Sequence, residues 1–175
     1  MPVLLSTVAT TVLPSYKIFC LRSCGATDPQ DLIKAGQLAR ADGIGFTSSA
    51  IGVQVATEVS LAIVLVEVWT KKPFIMPDQR SFDFAAEGLI YFPGTCWSID
   101  ESFDSEVMVG IKLPSGAGRY GARVAAYNYN TFLGRYEALH IGENEEYLKE
   151  LTQLKRIDRE TTEQYRIQLW PAGRK

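Results

Sequence analysis

A chain of 175 residues with 46% apolar residues is long enough for one domain with a real core, and its net charge of −2 offers no global attraction to nucleic acid. Its single histidine, His140, and three unevenly spaced cysteines, Cys20, Cys24 and Cys96, do not complete a tetrahedral zinc site or the ligand spacing of a zinc deaminase or metalloprotease. The longest apolar run, Leu61 to Val66, is far shorter than a bilayer and lies between Glu58 and Glu67, so no membrane span is expected.

In chain order, Val3 to Val12 mixes apolar residues with threonines and reads as an edge strand, ended by Pro14. Tyr16 to Arg22 reads as a second strand with Tyr16, Ile18 and Cys20 on one side. Asp28-Pro29 is a helix start, because Asp28 can cap and Pro29 suits the first helical position; that helix should reach about Ala39 and turn at Asp42-Gly43. Ile44 to Thr47, Gly52 to Thr57 and Val59 to Thr70 follow as strands. The last is apolar on both faces through its centre and so reads as a central strand. Ser81 to Ala85 and Gly88 to Phe92 read as two short strands before the Pro93-Gly94 turn. Cys96 to Ile99 and Glu106 to Leu113 come next.

Pro114 to Gly118 forms a loop into the strand Gly118 to Tyr127, where Tyr120, Ala122, Val124 and Ala126 alternate with Arg119, Arg123 and Tyr127. Asn144 to Leu154, with Tyr147, Leu148 and Leu151 at helical spacing, suggests a short helix. In the closing strand Tyr165, Ile167 and Leu169 share one face, and Arg166, Gln168 and Trp170 the other. These elements define a single all-β domain over 1–175: an antiparallel β-sandwich of about nine strands with one or two short helices and one solvated sheet face.

Catalytic motifs are scarce. No local pattern pairs a cysteine with His140, and an odd set of cysteines is a poor disulfide framework, so three reduced thiols in a cytoplasmic protein are expected. The apolar Met1 to Leu5 has no basic residue before it, and the first lysine is Lys17, which argues against a secretory signal. Gly43-Ile44-Gly45 follows a helix and opens a strand, the reverse of a dinucleotide loop. Paired carboxylates for glycoside hydrolysis would have to come from Asp83, Glu87, Asp100, Glu101 and Asp104, all near turn signals.

Charge is unevenly distributed. Asp78 to Glu106 carries seven acids (Asp78, Asp83, Glu87, Asp100, Glu101, Asp104, Glu106) against one base, Arg80, whereas Lys112 to Lys175 carries eleven bases against eight acids. An acidic surface of this kind suits a basic protein partner, such as the cleft of a nuclease, by raising the association rate and occupying its phosphate sites. Asp83, Glu87, Asp100, Glu101 and Asp104 are the candidate charges, and Trp97 and Phe103 the candidate anchors.

The order of elements resembles the competence protein J family. The points of likeness are Tyr16-Lys17-Ile18-Phe19, Ala41-Asp42-Gly43-Ile44-Gly45-Phe46 after a short helix, Lys112-Leu113-Pro114 with Gly118-Arg119-Tyr120, and the ending Tyr165-Arg166-Ile167-Gln168-Leu169-Trp170-Pro171. That family's named function is inhibition of a DNA-entry nuclease. The resemblance implies an inhibitor or immunity-type protein that covers a nuclease or toxin, with no catalytic residues, cofactor or metal of its own and no direct contact with nucleic acid. An alternative is a small-molecule or carbohydrate binder, or a hydrolase, combining Tyr127, Tyr129 and Trp170 with a carboxylate. The strand Val3 to Val12 could also pair with another copy of the chain.

Overall fold

The computed structural model describes residues 1–24, 28–58, 60–74, 81–102, 105–139 and 162–173. Its strands are β1 (Leu4–Val12), β2 (Ile18–Ser23), β3 (Ile44–Phe46), β4 (Ala50–Gln54), β5 (Ala62–Trp69), β6 (Phe84–Phe92), β7 (Cys96–Ser102), β8 (Ser105–Lys112), β9 (Gly118–Tyr127) and β10 (Gln164–Pro171); its helices are α1 (Pro29–Asp42) and α2 (Tyr129–Leu139). Two five-stranded sheets result, ordered β1-β5-β10-β9-β6 and β3-β4-β2-β7-β8. The all-β sandwich read from the sequence is the architecture found.

The facing sides of the sheets make one core. Phe19, Leu21, Ile51 and Ile99 from one sheet meet Val64, Val66, Val124, Ile167 and Leu169 from the other, all fully buried. Period-two alternation delivers these residues inward, and Phe19 packs edge-on against Tyr165 across the interface. Helix α1 covers the outer face of the second sheet: Leu32, Ala35 and Ala39 form a satellite cluster with Ile18, Cys20 and Ala50. Asp28 accepts from the Gln30 N–H as its cap, Pro29 opens it as read, and it runs beyond Ala39 to Asp42 before Gly43 returns its N–H to Ala39 O.

The structure corrects several expectations. The strands β5 and β10 are parallel, from Gln164↔Ile63 to Leu169↔Val68, so the first sheet is mixed; alternation reports which face is buried and carries no strand direction. Ser81 to Ala85 and Gly88 to Phe92 contribute to one continuous strand, β6, in register with β9 from Phe84↔Ala126 to Phe92↔Gly118. Gly88 punctuates nothing: the Phe46 ring lies directly over its backbone, where a Cβ would collide. Tyr16 leaves strand geometry, with φ of 61° in a short turn before β2.

Helix α2 was not expected at all. The helix expected over Asn144 to Leu154 lies outside the described residues. The outer face of the first sheet is not uniformly wet either, because Glu67, Ala125, Tyr127 and Gln168 are buried there.

Candidate binding surface

Strand directions sort the acidic segment. In the first sheet β5, β6 and β10 run one way and β1 and β9 the other. In the second sheet β2, β3 and β8 oppose β4 and β7. The short Val12-to-Ile18 connection then places the start of β6 and the end of β7 at the same end of the sandwich. Asp83 and Glu101 therefore belong to one end, and Glu87 lies further along the outer face of the first sheet.

The candidate residues fare differently. Trp97 is fully buried in the core, because it lies on the strand read over Cys96 to Ile99, which runs on to Ser102, and alternation turns Trp97 and Ile99 inward. Asp100 is also buried, on the opposite face of β7, where Arg22 Nε donates to its Oδ2 at 2.6 Å. Neither presents its side chain to a partner in this conformation. Glu101 is half-buried, its Oε1 accepting from the Leu13 N–H at 2.7 Å. Asp83 is exposed but anchored: its Oδ2 accepts from Tyr129 N–H at 2.7 Å and its Oδ1 from Asn130 Nδ2 at 3.3 Å, so it caps α2 from another element. Phe103 and Asp104 lie outside the described residues.

Glu87 belongs to a row that the sequence did not reveal. Thr7, Glu67, Gln168, Arg123 and Glu87 stand in register across all five strands of the first sheet. Gln168 Nε2 donates to Glu67 Oε2 at 2.9 Å, Arg123 donates to Gln168 Oε1 at 3.3 Å, and Arg123 Nε donates to Glu87 Oε1 at 2.7 Å. Trp69 Nε1 and Arg166 also reach Glu67, at 3.1 and 3.3 Å, and Lys72 closes the row on Glu87 Oε2 at 2.6 Å. Partial burial opposes ionisation of Glu87, but Lys72 and Arg123 outweigh it and hold the carboxyl below its ordinary range.

Lys72 and Arg123 also sit 5.7 and 5.9 Å from the centre of the Trp170 ring. That ring lies flat on Gly121, where any Cβ would overlap it. Beside the row, Phe74, Phe82, Ala85, Ala86, Glu87 and Arg123 line a cleft of about 410 Å³. Among the described residues its lining holds one carboxylate, already engaged by two cations. Tyr127 and Trp170 do not converge, since Gln164 pairs with Tyr127 and Trp170 with Gly121, six residues away or roughly 20 Å along the strand.

Two of the three thiols are not free. Cys24 and Cys96 form a disulfide, which corrects the expectation of reduced cysteines. The pairing of Ser23 with Trp97 brings the end of β2 beside the start of β7, with Cα atoms 5.5 Å apart, a proximity created by register across 72 residues. Cys20 remains a buried free thiol, and burial, with a smaller contribution from Asp100, pushes its pKa up to about 12.

Behind the end that carries Asp83 lies a buried carboxyl. Glu163 accepts from Ala56 N–H at 2.8 Å and is hydrogen-bonded to the Tyr165 hydroxyl, which reaches Gln54 O at 2.7 Å. Burial raises the Glu163 pKa to about 7, with a further push from Asp83, although the bonds from Tyr165 and Ala56 work the other way.

No helix among the described residues is long and apolar enough to cross a membrane. Fold and surface together define a two-sheet β-sandwich with a mixed sheet, one helix-covered face and a polar row across the other. The solved structures with this architecture include ComJ from Bacillus subtilis, described as an inhibitor of the DNA-degrading activity of NucA; it matches 98% of this chain and 99% of its own with a TM-score of 0.57 at 12% identity. They also include the product of crocagin biosynthetic gene J, matching 99% of both chains with a TM-score of 0.56 at 11% identity. At these identities the shared property is the fold. No family model matches the chain, and no curated protein sequence does.

Proposed function

We propose that this chain acts by binding a protein partner of the nuclease or toxin kind and covering its active surface. The observation that carries the proposal is the near full-length fold match to a nuclease inhibitor. The contact surface in this reading is the sandwich end that bears Asp83 and Glu101, flanked by Glu87 on the adjoining face; Phe103 and Asp104, which follow in sequence, are its further candidates. Clustered acids at a rim raise association rates with a basic partner and make binding salt-sensitive. Trp97 and Asp100 support that surface from beneath, the first by filling the core and the second by tying β7 to β2 through Arg22.

The test uses the wild-type chain and a Glu101→Lys/Asp104→Lys variant as baits in lysate of the native cells. Capture of a basic nuclease by wild type alone, its release at high salt, and suppression of its plasmid cleavage by added chain are the expected results. Failure of the wild type to retain or inhibit any nuclease refutes the reading.

A second reading rests on the cleft beside Glu87, where exposed Phe74 and Phe82 offer apolar contacts to a small amphipathic ligand. Retained nuclease binding with an emptied cleft, as in Phe74→Ala/Phe82→Ala, separates the two.

A further inference from the structure

We propose that β1 is the contact strand of a symmetric homodimer in which the open edges of two copies pair antiparallel and join their first sheets into one. Strand β1 ends its sheet, and among the described residues only β5 pairs with it. Its nine residues, Leu4–Val12, contain no charge and no proline, the devices by which edge strands ordinarily avoid pairing. The other edges are short or engaged. Strand β3 has only three residues, and on β6 the Tyr91 N–H is taken by Ser48 O. Strand β8 is irregular, its register with β7 slipping at several points.

The backbone pattern says which groups of β1 are open. Ile63 N–H donates to Glu163 O on the β10 side, so alternation turns Ala62, Val64, Val66 and Val68 toward β1. Their partners Val12, Thr10, Val8 and Ser6 spend their backbone groups on β5. Thr7, Ala9 and Thr11 are left with N–H and C=O groups turned to the open edge, a pattern that ends at the bulge between Leu4 and Ser6.

A two-fold axis at Val8 makes this edge self-complementary. Thr7 then stands opposite Ala9 of the second copy and Ala9 opposite its Thr7, all outward-facing residues, and such opposed pairs exchange two hydrogen bonds each. Beyond the bulge, the Val3–Leu5 end of one copy meets the Thr11–Leu13 end of the other. Val3, Leu4, Leu5 and Leu13 are exposed by 57, 44, 40 and 43% in the single chain, and this arrangement gives each an apolar or threonine neighbour. No charged side chain meets another, as an isologous contact requires. Glu101 occupies the Leu13 N–H and so marks where the open edge stops.

Sedimentation velocity and light scattering over a micromolar concentration series test the idea. The wild type should show twice the chain mass, falling to the monomer only on dilution. Ala9→Pro removes an outward N–H without touching the β1–β5 ladder, and Thr7→Lys/Ala9→Lys places lysines opposite one another across the axis. Both variants should be monomeric at every concentration, with an unchanged far-ultraviolet spectrum. If the proline variant does not fold, the lysine variant, altered at two exposed positions, still decides the matter. A wild type that is monomeric throughout, including one whose edge is taken only by a strand of some other protein, overturns the proposal. So does a folded lysine variant that remains a dimer.

Discussion

The hydroxyl of Tyr165 lies between the Glu163 carboxyl and the carbonyl of Gln54, and it has only one proton to give. If Glu163 is protonated, its own proton goes to Tyr165 and the tyrosine donates to Gln54, satisfying every group. If Glu163 is ionised, it takes the tyrosine's proton and strands the Gln54 carbonyl. The geometry and the raised pKa of Glu163 therefore agree on a neutral carboxyl below about pH 7.

The sign of the pH dependence follows. Protonation is favoured by the folded state, so this stabilisation is complete below the ordinary pKa of 4.5 and is lost as pH rises to about 7. The loss amounts to about 3 kcal/mol at most. Chemical denaturation between pH 4.5 and 8 should show stability falling across that window. Glu163→Gln, which can make the neutral set of bonds at any pH, should flatten the curve and be the more stable form at pH 8.

Asp83 enters the same balance. Its replacement by alanine removes the cap on α2, at a cost of about 1 kcal/mol. It also removes the negative charge that helps raise the Glu163 pKa, so the midpoint of the pH-dependent loss should move to lower pH. A titration of Glu163 by carboxyl carbon chemical shift reads this directly, and a midpoint that stays in place contradicts the coupling.

Arg123 and Glu87 share an ion pair but should not be equivalent. Glu87 is 42% exposed at its side chain, and its removal should cost under about 1 kcal/mol. Arg123 also satisfies Gln168, which is fully buried, so Arg123→Ala should cost roughly 2 kcal/mol by leaving that amide oxygen without its donor. Urea denaturation of the two single variants and the double variant measures both values and their coupling.

The Cys24–Cys96 bridge closes a long loop and should stabilise the chain by about 4 kcal/mol relative to its reduced form. Cys24→Ser/Cys96→Ser, or a reducing agent, should lower the melting temperature by a similar amount in each case. Labelling of the native, oxidised chain should find no reactive thiol at Cys20, which is buried and held protonated.

The legible parts of this fold were the local ones. Asp28-Pro29 announced α1, the threonine-rich Leu4–Val12 announced an edge, and Tyr165, Ile167 and Leu169 were correctly placed inward, because caps and alternation are written within a few residues. The features that depend on register were not. Helix α2 gives its first N–H, that of Tyr129, to Asp83, 46 residues earlier in the chain. Trp97 was read as an anchor because acids surround it in sequence, yet Glu87 lies on the first sheet while Asp100 and Glu101 lie on the second. The Thr7-Glu67-Gln168-Arg123-Glu87 row draws one residue from each of five strands, so it exists only once the sheet has assembled.

The placement of β10 between β5 and β9 has a consequence for how the molecule is made. The segment that joins the two halves of the first sheet is synthesised after all four of the other strands. On the ribosome, β1 and β5 can form a hairpin-like pair and β6 and β9 another, but each must wait with one bare edge until residues 164–171 emerge between them. The nascent protein is thus exposed to misassociation until its closing segment arrives, and a chain cut short before residue 164 should have no competent first sheet and be left to chaperones and proteases.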